Sequence, residues 1–221
     1  GDTVWLGLAN VSAWQAHAGD AKWLNNQLYV DEQTADQLYK LYGSNQAFKG
    51  WYVPFEVSDA ELGTAADARP MKSFFSSLAS YLHSHDGGQP VMTSPTYEHL
   101  TLSPATFAAS VRNVLGSFDV LDVQDSGGSG YEQPSDISNW FTALHKALAG
   151  TASTLWDDPD LFSAGNHGGP MAPAQLQANL KAASGQVSAY SGFSFTTQLD
   201  PNLTGTSSYY NAYQSYERKQ S

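Results

Sequence analysis

Six short β-favouring runs recur along the chain, and each is followed by a helical pattern. The runs are VWLGLA (Val4–Ala9), GWYVPFE (Gly50–Glu56), PVMTSPT (Pro90–Thr96), VLDVQDSG (Val120–Gly127), STLWDD (Ser153–Asp158) and SGFSFTT (Ser191–Thr197). Between them lie DEQTADQLYKLYG, RPMKSFFSSLASYLH, SPATFAASVRNVLG, SDISNWFTALHKALAG and APAQLQANLKAASG, and a last helical pattern, SSYYNAYQSYERKQ, closes the chain. Helix punctuation supports the assignment. Asp31 and Ser103 read as N-caps, Pro70, Pro104 and Pro173 as first-turn prolines, and Gly43, Gly116, Gly150 and Gly185 as glycines just past helix ends. In FSSLASYL and FTALHKAL the apolar residues recur at the spacing of a helix laid on a sheet.

Successive runs begin at least about 30 residues apart, the length a βαβ crossover needs. Regular alternation of this kind leaves two architectures, a doubly wound sheet or a (β/α)8 TIM-type barrel. No glycine-rich phosphate loop follows any run, so the dinucleotide-binding version loses support. In a barrel the chemistry sits at the C-terminal ends of the strands. Here those ends carry Asn10, Glu56, Tyr97, Gln124, Asp125, Asp157, Asp158 and Asp160, whereas the starts are not polar. Only six βα units are visible, and a closed barrel has eight.

Composition narrows the partners. The chain has 221 residues, 41% of them hydrophobic and 14% charged, enough for one domain with a proper core. The net charge of −11 argues against nucleic acid and disfavours a strongly anionic polysaccharide, so neutral or cationic partners fit better. There is no cysteine, hence neither a disulfide framework nor thiolate chemistry. With a surface vocabulary rich in Ser, Thr, Asn and Gln, this suits an exported bacterial protein, periplasmic or extracellular. No apolar run is long enough to insert in a membrane. NVS at Asn10 and NLT at Asn202 match the glycosylation sequon, which matters only in a eukaryotic secretory host.

The segments VWLGLANVSAW, FKGWYVPFEV, VMTSPTY, VLDVQDSGGSG, TLWDDPDLF and FSFTTQLDPN, in this order, resemble a bacterial family of glycoside-hydrolase-like (β/α)8 barrels, catalogued as a domain of unknown function and marked by GWYxPxE and QDxxG. The resemblance runs over nearly the whole chain. Members of that family begin two βα units earlier, which makes VWLGLA the third barrel strand. The expectation is therefore a single barrel domain over 1–221, incomplete at its N-terminal side and showing strands three to eight. A stable sample is then expected to contain the missing units as a second fragment, or a homo-oligomer covering the open edges. By analogy with retaining barrel glycosidases, the acid/base glutamate ends strand four, here Glu56, and the nucleophile ends strand seven, here within WDDPD. Relatives carry a glutamate where this chain has Asp160, a side chain shorter by one C–C bond of roughly 1.5 Å, so Asp157, Asp158 and Asp125 also compete for the second carboxylate.

Glycoside cleavage needs one carboxyl group that donates a proton to the leaving oxygen and a second that is ionised. Glu56, behind Trp51, Tyr52 and Phe55, is expected among apolar neighbours that raise its pKa; the bland alternative is a strand-end glutamate that caps a helix. Asp125 precedes a glycine run and is either a site residue or a turn residue. Gln124 is expected to bind sugar hydroxyls or to position a carboxylate. Trp14, Tyr97 and Trp156 follow or end strands and are candidate stacking platforms, although core packing is the commoner fate of an aromatic side chain. Trp140 lies within a helix and reads as core. HSHDGG (His83–Gly88) has the spacing of a metal cluster but falls on the barrel's stability face. His167 and His99 have no obvious partners, and no G-x-S-x-G elbow appears.

The sequence thus points to a glycoside hydrolase acting on a bacterial exopolysaccharide or cell-surface glycan, with Glu56 and Asp160 catalytic, Asn10, Trp14, Tyr97, Gln124, Asp125 and Trp156 contacting or orienting substrate, and no cofactor or metal required. Two rivals stand beside it, a non-catalytic glycan-binding barrel and a metal-dependent hydrolase.

Overall fold

The computed structural model describes residues 2–85, 87–98, 102–203, 205 and 207–220. Six strands form one sheet: β1 (Val4–Gly7), β2 (Phe48–Val53), β3 (Val91–Thr93), β4 (Val120–Gln124), β5 (Thr154–Asp158) and, after a short hairpin of β6 (Phe162–Ser163) and β7 (Gly169–Pro170), β8 (Ala189–Tyr190). Their spatial order, β1-β2-β3-β4-β5-β8, follows the chain, and every pairing is parallel. A doubly wound sheet reverses its order at a switch point. This one never reverses; it curls in one direction as six consecutive units of a (β/α)8-type barrel.

Helices α1 (Ala21–Tyr42), α3 (Ala65–His85), α4 (Pro104–Leu115), α5 (Pro134–Leu148) and α6 (Pro173–Ala183) connect the strands, with α2 (Asp59–Leu62) and α7 (Phe195–Gln198) as short turns and α8 (Ser207–Gln220) last. Neighbouring connectors pack on one another in chain order around the sheet. Between helices and sheet lies an aromatic core. Phe55, Phe74, Phe75 and Phe118 meet at centroid separations of 5.0–6.5 Å, and Trp140 stacks on Tyr97 at 4.2 Å with Phe107 edge-on to both rings. Among the described residues, no helix is long and apolar enough to cross a membrane.

Three local expectations need correction. Helix α1 begins ten residues before Asp31, capped by Asp20, whose side chain accepts from the backbone N–H groups of Lys22 and Trp23 at 3.0 Å each. Its buried stripe is Leu24, Gln27, Asp31 and Ala35, so two polar residues occupy positions where an apolar period is sought. Helix α3 likewise starts before Pro70, behind Thr64, whose Oγ1 accepts from Asp67 N at 3.1 Å. The last strand is Ala189–Tyr190 rather than Ser191–Thr197. Ser191 still donates its N–H to Asp157 O at 3.0 Å, but the chain then turns into α7.

Strand alternation decides which side chains meet. Asp122 pairs in register with Trp156, and Gln124 with Asp158. Successive side chains point to opposite faces. Asp122, Gln124, Trp156 and Asp158 therefore share the inner face, while Leu121, Val123, Leu155 and Asp157 face the helices.

Candidate active site

A cavity of about 590 Å³ opens at the C-terminal ends of the strands. Trp5 and Tyr52 contribute aromatic wall, joined by Phe162 of β6 and Phe193 beyond β8. Four carboxylates line it: Glu56 after β2, Asp122 within β4, Asp158 at the end of β5, and Asp160 two residues later. Asn10 and Gln124 also line it, and among the described residues no Lys or Arg does. Of the residues expected at the site, Glu56, Asp160, Asn10 and Gln124 are thus brought together.

Each carboxylate is held differently. Asp160 accepts at Oδ2 from Ser129 N (2.9 Å) and Ser129 Oγ (3.0 Å). Burial pushes its pKa up, and the Ser129 hydrogen bonds oppose that rise. Asp158 accepts from Ser94 Oγ at 3.3 Å, and burial, opposed by a hydrogen bond with Ser191, raises its pKa to about 6. Asp122 is raised to about 7, first by burial and then by the charge of Asp158, again with Ser191 bonded to it. Glu56 is exposed at the mouth. The apolar enclosure expected for it is not there, because Trp51 and Phe55 are buried in the core and only Tyr52 shares the cavity with it. The Tyr52 phenol is pushed well above its ordinary value by burial and then by Glu56, Asp158 and Asp122, so it stays a hydrogen-bond donor among them.

The remaining expected residues lie elsewhere. Trp14 is buried against Phe55 at 5.5 Å, because the short 3₁₀ turn Trp14–His17 folds it down into the core rather than out over the rim. Tyr97 is fully buried in its stack on Trp140. Trp156 sits one inward-facing position below Asp158, edge-on to Trp5 at 6.0 Å, as interior filling rather than a rim platform. Asp125 is fully buried beneath the rim, where Oδ1 accepts from Gly127 N (2.9 Å) and Asp160 N (3.3 Å). It fixes the backbone that carries Asp160 and does not reach the cavity. Asp157 faces the helices outside the site, and burial, then the charge of Asp125, pushes its pKa far up. Gly128 lets this corner close: a Cβ there would stand 2.2 Å from Phe162 O and 2.4 Å from Asp160 Cβ.

Asp122, Ser129 and Ser191 were not expected. Asp122 had a usable signal, since it alternates with Gln124 on one face of an otherwise apolar strand. His83 pairs with Asp119 at 2.7 Å on the opposite end of the sheet, where Asp119 also accepts from Val91 N. The His85 side chain, Asp86 and His99 lie outside the described residues. His167 ends a 3₁₀ turn beside the hairpin and does not line the cavity. Among the described residues, no group of three or more His, Asp or Glu is arranged to hold a metal ion.

Two solved structures share the fold. A protein described as a candidate alpha-L-fucosidase from Bacteroides thetaiotaomicron superimposes with a TM-score of 0.72 at 18% identity, covering 94% of this chain and 66% of its own. A GH18 chitinase from Pseudoalteromonas aurantia gives 0.55 at 16% identity, covering 95% of this chain and 76% of its own. This chain thus spans just under two thirds of the fucosidase-like protein. No curated protein is detectably similar in sequence. The profile of one family matches residues 1–204, and the chain belongs to that family, the domain of unknown function DUF4434.

Proposed function

We propose that the protein is a glycoside hydrolase that cleaves a neutral or cationic polysaccharide, with Glu56 as general acid/base and Asp160 as the second carboxylate. One observation carries the reading: Glu56 and Asp160, at the ends of barrel strands, open into a single cavity whose aromatic walls suit sugar faces and whose polar groups suit hydroxyls. Both structural neighbours named above are described as glycosidases, which is consistent with it.

In this scheme Glu56, at the open mouth, is placed to protonate a departing glycosidic oxygen. Asp160 is oriented by Ser129 from the side and by Asp125 through its own backbone N–H, and its hydrogen bonds favour the ionised form. Tyr52 supplies a fixed donor between the acidic groups. The absence of a cationic lining disfavours uronic or sulfated glycans. An exported setting and a bacterial glycan remain the working biological frame.

The test is reducing-end release from a panel of bacterial polysaccharides by wild type, Glu56→Gln and Asp160→Asn. Release by wild type that falls by at least about a thousandfold in each variant, with binding retained, supports the assignment. Saturable glycan binding without release, unchanged by Glu56→Gln, would instead identify a glycan-binding barrel.

A further inference from the structure

The cavity holds more carboxyl groups than two-carboxylate chemistry uses. Beyond Glu56 and Asp160 it contains Asp122 and Asp158 on adjacent strands, and both hydrogen-bond the same residue, Ser191. One hydroxyl has one proton to donate, so it cannot satisfy both carboxylates. Asp122 is 3% exposed, lines the cavity, and its Oδ1 has no hydrogen-bond partner. Among the described residues, no Lys or Arg lines the cavity to neutralise the pair. A buried carboxylate oxygen without a partner, in a cavity otherwise built for a ligand, marks a donor that the ligand brings.

We propose that the cavity takes a protonated amino sugar, a de-N-acetylated 2-amino-2-deoxyhexose unit of a cationic polysaccharide, and seats its ammonium group between Asp122 and Asp158. This rests on the hydrolase reading above and names its substrate class. An ammonium offers three donors. One meets the orphaned Oδ1 of Asp122 and one Asp158, while Ser94 and Ser191 remain on Asp158 from the protein side. Trp5 and Tyr52 leave an apolar face for the ring. A neutral sugar hydroxyl in the same place would leave the second carboxylate uncompensated, and an acetamido group brings only one N–H and no charge. When the cavity lacks a cation, Asp122, raised to about 7, still holds a proton part of the time near neutrality and more below it, whereas Asp158, raised to about 6, is largely ionised there, so seating the ammonium expels protons chiefly from Asp122.

The experiment is calorimetric titration of the full chain bearing Glu56→Gln, which removes the proposed acid, at about pH 6, where the amino-sugar nitrogen is already charged and Asp122 still largely holds its proton, and at physiological salt. The probes are glucosamine tetramers in two different linkages, their N-acetylated counterparts, a neutral glucan tetramer, and tetralysine as a non-sugar cation. A glucosamine tetramer is expected to bind about tenfold or more tighter than its N-acetylated counterpart and the glucan. Its binding should release protons, read as a dependence of the heat on buffer ionisation, and Asp122→Asn should erase both the preference and the release. Asp158→Asn provides the same readout should Asp122→Asn fail to fold. Equal binding of acetylated and free amino sugars in both linkages would overturn the proposal. So would tetralysine binding as tightly as the amino sugar, or a preference that survives both substitutions. Hydrolysis of neutral glycans without amino-sugar preference would overturn this inference alone, whereas amino-sugar binding without turnover by wild type would overturn the hydrolase reading alone.

Discussion

Asp31 offers the sharpest test of the electrostatics, because it is a fully buried carboxyl in the middle of a helix and away from the cavity. Gln27 Nε2 donates to its Oδ1 at 3.2 Å, the Ala9 backbone N–H also bonds it, and Oδ2 has no partner. Burial raises its pKa from 3.8 to about 7, against the lowering effect of those two bonds. In the unfolded chain the group ionises near 4; in the folded chain it keeps its proton to about 7. The folded state therefore binds more protons across that window, and stability falls as pH rises, by about 1.4 kcal/mol per pH unit for this group. The full penalty above pH 7 is about 4 kcal/mol. Asp31→Asn keeps shape and hydrogen-bonding capacity but cannot ionise, so it should match wild type at pH 4 and gain steadily to about 4 kcal/mol at pH 8, roughly 10 °C in Tm for a chain of this size. Urea denaturation of both proteins from pH 4 to 9 reads this directly. Parallel stability curves for the two proteins, or a variant weaker than wild type at pH 8, would refute the reasoning.

The remaining predictions concern the cavity and its surroundings. Gly128→Ala should leave the fold intact but displace Asp160 or the Phe162 backbone, lowering turnover by about a hundredfold or more while the circular dichroism spectrum holds. Ser129→Ala removes one of the bonds that favours the Asp160 anion, so the acidic limb of the pH–rate profile should move to higher pH; an unmoved limb would show that Asp160 is not the titrating group. His83→Ala, on the opposite end of the sheet, should change stability by about 1 kcal/mol or less and leave turnover unchanged, and a lost activity would reinstate a role for that histidine.

What the sequence made legible follows from what each signal physically encodes. Strand and helix periods and crossover length, which depend on backbone geometry, gave alternating β and α but left a doubly wound sheet or a barrel; the polar strand ends and the family resemblance pointed to the barrel, and the parallel in-order sheet agrees with them. Glu56, Gln124 and Asp160 were legible because a strand end is a place, and polar residues there face the rim. Trp14 and Tyr97 were not, since an aromatic residue in a loop reads the same whether it projects over a cavity or folds back onto Phe55 or Trp140. The last strand was shifted because SGFSFTT alternates like a strand, yet only Ala189 and Tyr190 find register with Trp156 and Asp157. That shift hid Ser191, which became a site residue only once the strand was seen to end before it.

Two buried carboxyls each carry an unpartnered oxygen, and whether the residue lines the cavity separates their meanings. Asp31 interrupts the apolar stripe of α1 with both hydrogen bonds turned to its own protein, Gln27 within the helix and Ala9 in the segment that leads from β1 to Asn10. Its cost is internal and nothing from outside can relieve it, so a neutral isostere should stabilise the chain. Asp122 is buried on the inner face of β4, beside Gln124, and lines the cavity, where a cation can supply the donor that the protein withholds. Its cost is conditional on the empty site. Ligand binding should therefore stabilise the fold most at the pH where Asp122 and Asp158 would otherwise have to ionise unpaired, and that coupling between stability, pH and ligand distinguishes a carboxylate kept for binding from one kept for structure.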